Sequence, residues 1–280
     1  MAIITISRGS YSRGKEVAEA LADRLGYACT SRDILLETCE EFSTPEIRLV
    51  KALHDAPSIL DRFSHGRERY ISYFQSAFFK YMEKDNIVYH GLSGHFFLQG
   101  IAHAMKVRII ANMEDRIREE MKRENSSAEE ARYLLKKDDD ERRRWGLSLY
   151  GKDNWDSSLY DLVLHIDTLD VTNVVDILEG VVKSGRFDAT PESTAMLKER
   201  ALLANIHAVI VNYSPKATVR IKDGVVSVGN VEGSLRHDKD LREKTAKRLI
   251  NKYGIKDLVY TRPLKPKKDH INPFHNIDLR

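Results

Sequence analysis

No stretch of this 280-residue chain approaches the ~18 consecutive apolar residues that a membrane-crossing helix requires. Nor do its first residues show a basic segment followed by an apolar one and a small-residue cleavage site. These absences argue against a transmembrane segment or an export signal and set the expectation of a cytoplasmic protein. Cysteine is scarce. Cys29 and Cys39 are the only two, too few for a disulfide framework and without the spacing of a zinc site, so both are expected to be reduced and partly buried. A dominant sign of charge is missing as well: 45 Lys and Arg oppose 42 Asp and Glu, a net charge of +3. That near-balance speaks against a nucleic-acid partner while leaving small anionic ligands open.

What is present is concentrated in residues 3–26, "IITISRGSYSRGKEVAEALADRLG". Ile3, Ile4 and Ile6 favour a buried strand, and Val17, Ala18, Leu21, Ala22 and Leu25 recur at helical spacing. Between them Gly9, Ser10, Tyr11, Ser12, Arg13, Gly14 and Lys15 fit the first seven positions of G-x-x-x-x-G-K-[ST]. In such a loop, backbone N–H groups and the helix N-terminus hold phosphate oxygens, and the lysine reaches the β and γ phosphates. The eighth position departs. Glu16 stands where a hydroxyl would ligate Mg²⁺, and its carboxylate would repel phosphates unless it faced a metal or turned away.

Further strand candidates at 27–30, 86–91, 106–111 and 161–166 alternate with helical stretches, which predicts a parallel sheet flanked by helices. Helix starts are read at Thr44-Pro45-Glu46, at Asn112 with Asp115, and at Ser126 with Glu129 as a capping box. Tyr70, Phe74, Ala77, Phe78 and Tyr81 fall on one helical face and are expected in the core. After residue 183, "KSGRFDA" reads as a connector, Thr190-Pro191-Glu192 opens a new helix, and Asp223-Gly224 separates two β-rich runs as a hairpin turn would. The expected organisation is an α/β domain over 1–183, a linker at 184–190, a small α+β (αββαβ) domain over 191–262, and an extended tail over 263–280.

Two other features carry chemistry. The run "LLKKDDDERRRW" supplies Asp138, Asp139, Asp140, Arg142, Arg143 and Arg144. It suits either a solvated helix face with i,i+4 pairs or the arginine forks that phosphoryl transfer uses. His90 and His95 bracket "GLSG" just past a central strand, the edge where open α/β sheets bind ligands. A pair five residues apart suits a hydrogen-bonding or structural role, phosphate contact, proton exchange, or metal ligation with a further partner.

Four segments, "ITISRGSYSRGKEVAEALADRLG", "NIVYHGLSGHFFL", "VRIIANMEDRI" and "DDDERRRWGLSLYGKDNWDSSLYDLVLHIDTLDV", resemble in their order the cytidylate kinase-like family of P-loop nucleoside monophosphate kinase relatives, over about residues 1–180. The resemblance implies a three-layer P-loop kinase fold with a central parallel sheet and a helical lid. It further implies ATP with Mg²⁺ as cofactors, donor phosphates on Gly14 and Lys15, Arg116 on the helix leading to the lid, and Asp139 with Arg142 in the lid. Lys15, Arg142 and Asp139 are the expected catalytic residues. Gly9, Ser10, Ser12, Arg13, Glu16 and Arg116 are placed with the cofactor, and His90, His95 and Arg62 with the acceptor. The segment with "IKDGVVSVGNVEG" is similar to a BON domain. Departures from cytidylate kinases themselves are Lys15-Glu16 in place of Lys-Thr/Ser and Gly91-Leu92-Ser93 in place of Gly-Arg-Asp. The expected function is transfer of the ATP γ-phosphate to a nucleoside monophosphate or related small acceptor, with a pyrimidine monophosphate suggested by the resemblance alone. The alternative is a nucleotide-binding regulatory protein that has lost turnover and signals through its C-terminal domain. The sequence names no partner for that domain and leaves homo-oligomerisation open.

Overall fold

The computed structural model describes residues 2–31 and 64–261, to which the structural statements below refer. Cys39, the helix start at Thr44, Arg62 and the tail lie outside them. Chain contacts group into two compact units, 1–208 and 209–280.

In the first unit, strands β1 (Ile3–Arg8), β2 (Ala28–Ser31), β3 (Ile87–His90), β4 (Ala104–Ala111) and β5 (Leu162–Ile166) form a parallel sheet in the order β2-β3-β1-β4-β5. The helices, in chain order, are α1 (Gly14–Leu25), α2 (Gly66–Met82), α3 (Gly94–Phe97), α4 (Met113–Glu124), α5 (Ala128–Tyr150), α6 (Val171–Lys183) and α7 (Pro191–Ile210). This is the expected three-layer α/β arrangement. Side chains alternate along β1 and β4, so Ile4, Ile6, Val107 and Ile109 share one face. There they form a core with Val17, Ala18 and Leu21 of α1 and Val174, Val175 and Leu178 of α6. The opposite face carries Thr5 and Ser7 beside Lys106 and Arg108, all buried.

That second face is closed by aromatic rings. Tyr70, Phe74 and Phe78 are buried on α2, as the stripe predicts, while Ala77 and Tyr81 are half-buried. Phe78 meets the Tyr89 ring edge-on at 5.1 Å and the Phe97 ring at 5.3 Å. Each such buried ring contributes roughly 2–3 kcal/mol through area removed from water.

Helices α4 and α5 form a hairpin around Ile117, Ala131 and Leu135, against which Tyr11 packs. The capping box lies one residue later than the sequence spacing predicts. Asn125, in the left-handed conformation, ends α4; Ser127 Oγ then accepts from Glu130 N while Glu130 Oε2 accepts from Ser127 N. Asn112 stands at the N-cap of α4 without a capping side-chain bond. Thr190 caps α7 as expected, exchanging hydrogen bonds with Ser193.

The division into units falls after Ala208, beyond the 184–190 connector, so most of α7 groups with the first unit. Its polar side chains account for this: Ser76 Oγ donates to Asn205 Oδ1 at 2.5 Å, and Arg200 Nη1 donates to the carbonyls of Phe97 and Gln99. The second unit holds a sheet of order β6-β7-β8. In it, β6 (Thr218–Lys222) is antiparallel to β7 (Val225–Gly229), and β8 (Asp257–Tyr260) is parallel to β7. Asp223 and Gly224 both have positive φ, as a two-residue primed hairpin turn requires. Short helix α8 (Ser234–His237) leads into α9 (Lys239–Tyr253), which Asp238 caps by accepting from Leu241 N. Among the described residues no helix is long and apolar enough to cross a membrane.

Gly94 opens α3 where an added Cβ would sit 2.6 Å from the Tyr89 ring and 3.2 Å from Phe78. Gly94→Ala is expected to lower unfolding stability by about 1–3 kcal/mol, read as a shift of the denaturant midpoint, because neither ring can retreat from a filled core.

Candidate functional site

The site begins where β1 ends. Gly9 N donates to Ile109 O, and the chain turns through Tyr11 (φ 54°) and Arg13 (φ 60°) into α1. A left-handed conformation costs a non-glycine residue about 1–2 kcal/mol, so the surroundings must hold the turn in place. Ser12 is buried and its hydroxyl reaches both Gly9 O (2.9 Å) and Ile109 O (3.0 Å), so it ties the loop to itself and to β4. Tyr11 packs against the α4–α5 core with the Arg123 guanidinium 4.3 Å from its ring centroid. Among the described residues no group accepts from the N–H of Gly14, Lys15 or Glu16, the first three of α1.

Glu16 is held by the loop itself: its carboxylate accepts from Arg13 Nε and Nη2, the latter at 2.8 Å. Arg13 therefore neutralises the residue at the departing motif position. Lys15 is 58% exposed at its side chain and lies 3.6 Å from Glu19. Over this turn opens a cavity of about 640 Å³ whose cations are Arg8, Arg13, Lys15, Lys122, Arg123 and Arg142, against the carboxylates of Glu16 and Glu119. A second cavity of about 260 Å³ shares Tyr11, Arg13 and Glu119 with it. Ala111, Ile166 and Leu169 are its apolar lining, and Asp115, Arg116, Arg118, Asp167 and Asp170 add charge of both signs.

Arg116 and Asp139 come together beside the loop. Arg116 Nε donates to Ser10 O at 2.6 Å, Arg116 Nη2 donates to Asp139 Oδ2 at 2.7 Å, and Asp139 Oδ1 accepts from Ser10 N at 2.9 Å. The pair is buried, with side chains 8% and 15% exposed. It links α4, α5 and the loop in one hydrogen-bonded ring, while Arg142, one turn from Asp139, lines the larger cavity. The Ser10 hydroxyl is buried without a partner.

The two histidines are not brought together. His90 ends β3 opposite Ile6, whereas His95 lies in α3 with Nε2 3.1 Å from the Tyr160 hydroxyl. Among the described residues no group of three or more His, Cys, Asp or Glu is placed to hold a metal. Burial, reinforced by Arg108, Lys152 and Lys106, pushes the His95 pKa down to about 3. At neutral pH it is therefore an uncharged hydrogen-bonding ring. Arg62 lies outside the described residues. Lys122 and Arg123 escape the sequence reading; they stand six and seven residues after Arg116, and that near-two-turn spacing on an amphipathic helix is the signal that returns them to the same side.

Removing Asp139 leaves the Arg116 charge buried and alone. Asp139→Ala is expected to cost roughly 3–5 kcal/mol by urea unfolding, and the apolar double replacement Arg116→Met/Asp139→Leu to recover most of that loss. His95 sets a pH dependence of known sign. Its depressed folded pKa contributes stability that is present above about 6.5 and lost as pH falls towards 3, since only the unfolded chain then gains the proton. His95→Gln is expected to flatten the fall in melting temperature between pH 6.5 and 4.

Among solved structures, one from Eubacterium ventriosum described as an uncharacterized protein aligns with TM-score 0.52 at 20% identity, covering 66% of this chain and 99% of that one. The shikimate kinase of Bacteroides thetaiotaomicron aligns with TM-score 0.42 at 11% identity over 65% of this chain and 98% of that one. The shikimate kinase of Acinetobacter baumannii, solved with shikimate, aligns with TM-score 0.41 at 10% identity over 67% and 96%. Such identities speak to fold alone. No curated protein matches the chain in sequence. The model of the cytidylate kinase-like family matches residues 3–168, more than half of the chain. The chain belongs to the cytidylate kinase-like family.

Proposed function

We propose that the protein is an ATP-dependent phosphotransferase of the nucleoside monophosphate kinase type, acting on a small nucleotide or related acceptor. One observation carries the reading: Lys15 and Glu16, whose N–H groups at the start of a 12-residue helix meet no acceptor among the described residues, line a cavity bearing six cations and two carboxylates. A polyphosphate chain fits that donor set, because helix N-termini and arginine forks both favour phosphate oxygens. The adjoining 260 Å³ cavity, where three apolar side chains meet carboxylates and arginines, suits a flat base and a ribose. The fit to Mg²⁺ is narrower. With Glu16 bound to Arg13 the motif position that would supply a hydroxyl ligand supplies none, so an ion there would draw most of its ligands from phosphate oxygens and water.

In this reading Lys15 and Arg142 neutralise charge on the transferring group, and Arg116 with Asp139 hold the loop against the α4–α5 lid. The protein positions donor and acceptor in line and excludes water; it needs no strong base. A second reading, nucleotide binding without turnover, is favoured by Glu16 at the metal position and by Leu92-Ser93 after β3. The C-terminal unit, whose sequence resembles a BON domain, would then transmit the bound state.

The discriminating measurement is γ-phosphoryl transfer from Mg-ATP to a panel of nucleoside monophosphates, with ATP affinity measured in parallel. Transfer to one acceptor is expected, reduced at least about a hundredfold in Lys15→Ala. Because Lys15 is exposed, the variant should keep its melting temperature. Unchanged ATP affinity in folded Lys15→Ala would sink the assignment, and binding without transfer selects the second reading.

A further inference from the structure

Among the described residues no carboxylate lies within ion-pair distance of the buried Arg108 guanidinium, and Asp153 acts on it only from further off. Arg108 lies on the polar face of β4 in register with Ser7 and is 8% exposed. Its hydrogen bonds run from Nη1 to Ser7 Oγ and to the Tyr160 hydroxyl, both 3.5 Å long and both to neutral oxygens. Its guanidinium carbon lies 5.7 Å from the Tyr160 ring centroid.

The nearby carboxylates are already engaged. Asp161 Oδ2 accepts from Lys106 Nζ (2.8 Å) and Lys106 N (2.7 Å). Asp153 Oδ2 accepts from Nε and Nη2 of Arg143, and its Oδ1 accepts from Trp155 N. His95 contributes no charge, because its pKa is pushed down to about 3. The cluster therefore carries the uncompensated charge of one guanidinium away from water, a state that proteins ordinarily resolve by pairing. A second group independently lacks a partner. Asn154, 3% exposed, has a buried Oδ1 without a hydrogen-bond partner, and its carbonyl accepts from the Tyr160 hydroxyl at 2.8 Å.

We propose that Arg108, with Ser7, Tyr160 and His95, forms a binding site for a small oxyanion group, carboxylate or phosphate. A hydroxyl of that ligand would satisfy Asn154 Oδ1. Two 3.5 Å contacts leave most of the guanidinium's bonding capacity open, and charge-assisted bonds to an oxyanion are shorter and about twice as strong as neutral ones. Gly9, the first residue of the phosphate-binding motif, follows Ser7 by two positions, roughly 7 Å along an extended strand. An oxyanion at Arg108 would thus hold an acceptor beneath the donor phosphates. That the oxyanion belongs to the acceptor rests on the phosphotransferase reading; that it binds does not.

Calorimetric titration of the full chain with inorganic phosphate and, separately, with acetate tests the site in wild type, Lys15→Ala, Arg108→Gln and the double variant. At least one anion is expected to bind Lys15→Ala, with affinity falling about tenfold or more when Arg108→Gln is added. The anion that shows this dependence identifies the source. For each anion, equal affinity for Lys15→Ala and the double variant overturns the site, as does failure of both anions to bind Lys15→Ala. In anion-free buffer Arg108→Gln should melt no lower than wild type, since it removes an unpaired buried charge; a markedly lower melting temperature would make the guanidinium structural and equally overturn the proposal. Failure of the kinase reading shows instead in ATP affinity that Lys15→Ala leaves unchanged.

Discussion

Everything in the first unit depends on the unequal faces of β1 and β4. Parallel strands buried on both sides usually read as continuous apolar runs. Here Ile4, Ile6, Val107 and Ile109 make one face apolar, and Thr5, Ser7, Lys106 and Arg108 make the other polar though equally buried. The apolar face fixes α1 and α6, and so aims the start of α1 at the mouth of the loop. The polar face must be satisfied by specific partners, which the aromatic layer over it cannot supply. Lys106 finds Asp161; Arg108 reaches two hydroxyls at long range. Packing on one side of the sheet thereby leaves a polar requirement on the other.

The loop is held from outside as much as by its own sequence. Tyr11 and Arg13 take left-handed conformations that glycine would adopt without strain. Tyr11 is retained by its packing with Ile117, Ala131 and Leu135, and Arg13 by its fork on Glu16. The side chains that make the loop unlike an all-small cradle are thus the ones that fasten it, one to the α4–α5 hairpin and one to α1.

Much of the fold was legible in the residues. The five strands fall where apolar and β-branched runs placed them, the helix after Gly14 follows its spacing, and Asp223-Gly224 makes the hairpin. Local signals were less exact where competing neighbours decide: the capping box moved from Ser126 to Ser127 because Asn125 ends α4 first. At the site, the phosphate-binding loop could be read because its residues are contiguous. The Arg116–Asp139–Ser10 ring could not, since its members are up to 129 positions apart and its geometry depends on how the α4–α5 hairpin lies over the loop. Arg108 carried a faint signal: with Lys106 it places two charges at i,i+2 in an otherwise apolar strand, hence on one face. The sequence alone did not say that this face is buried.

Asp139 has a consequence for motion. Its carboxylate takes the Ser10 N–H, and it sits on α5, the long arm of the hairpin. Negative charge arriving at the loop acts on that carboxylate and on the Arg116 guanidinium paired with it, and through them on the arm. Occupancy of the loop and position of the arm are therefore thermodynamically linked. Whatever free energy the ring loses when an anion is bound, the anion loses when the ring is formed. A loop and an arm joined through one ion pair cannot be tuned separately.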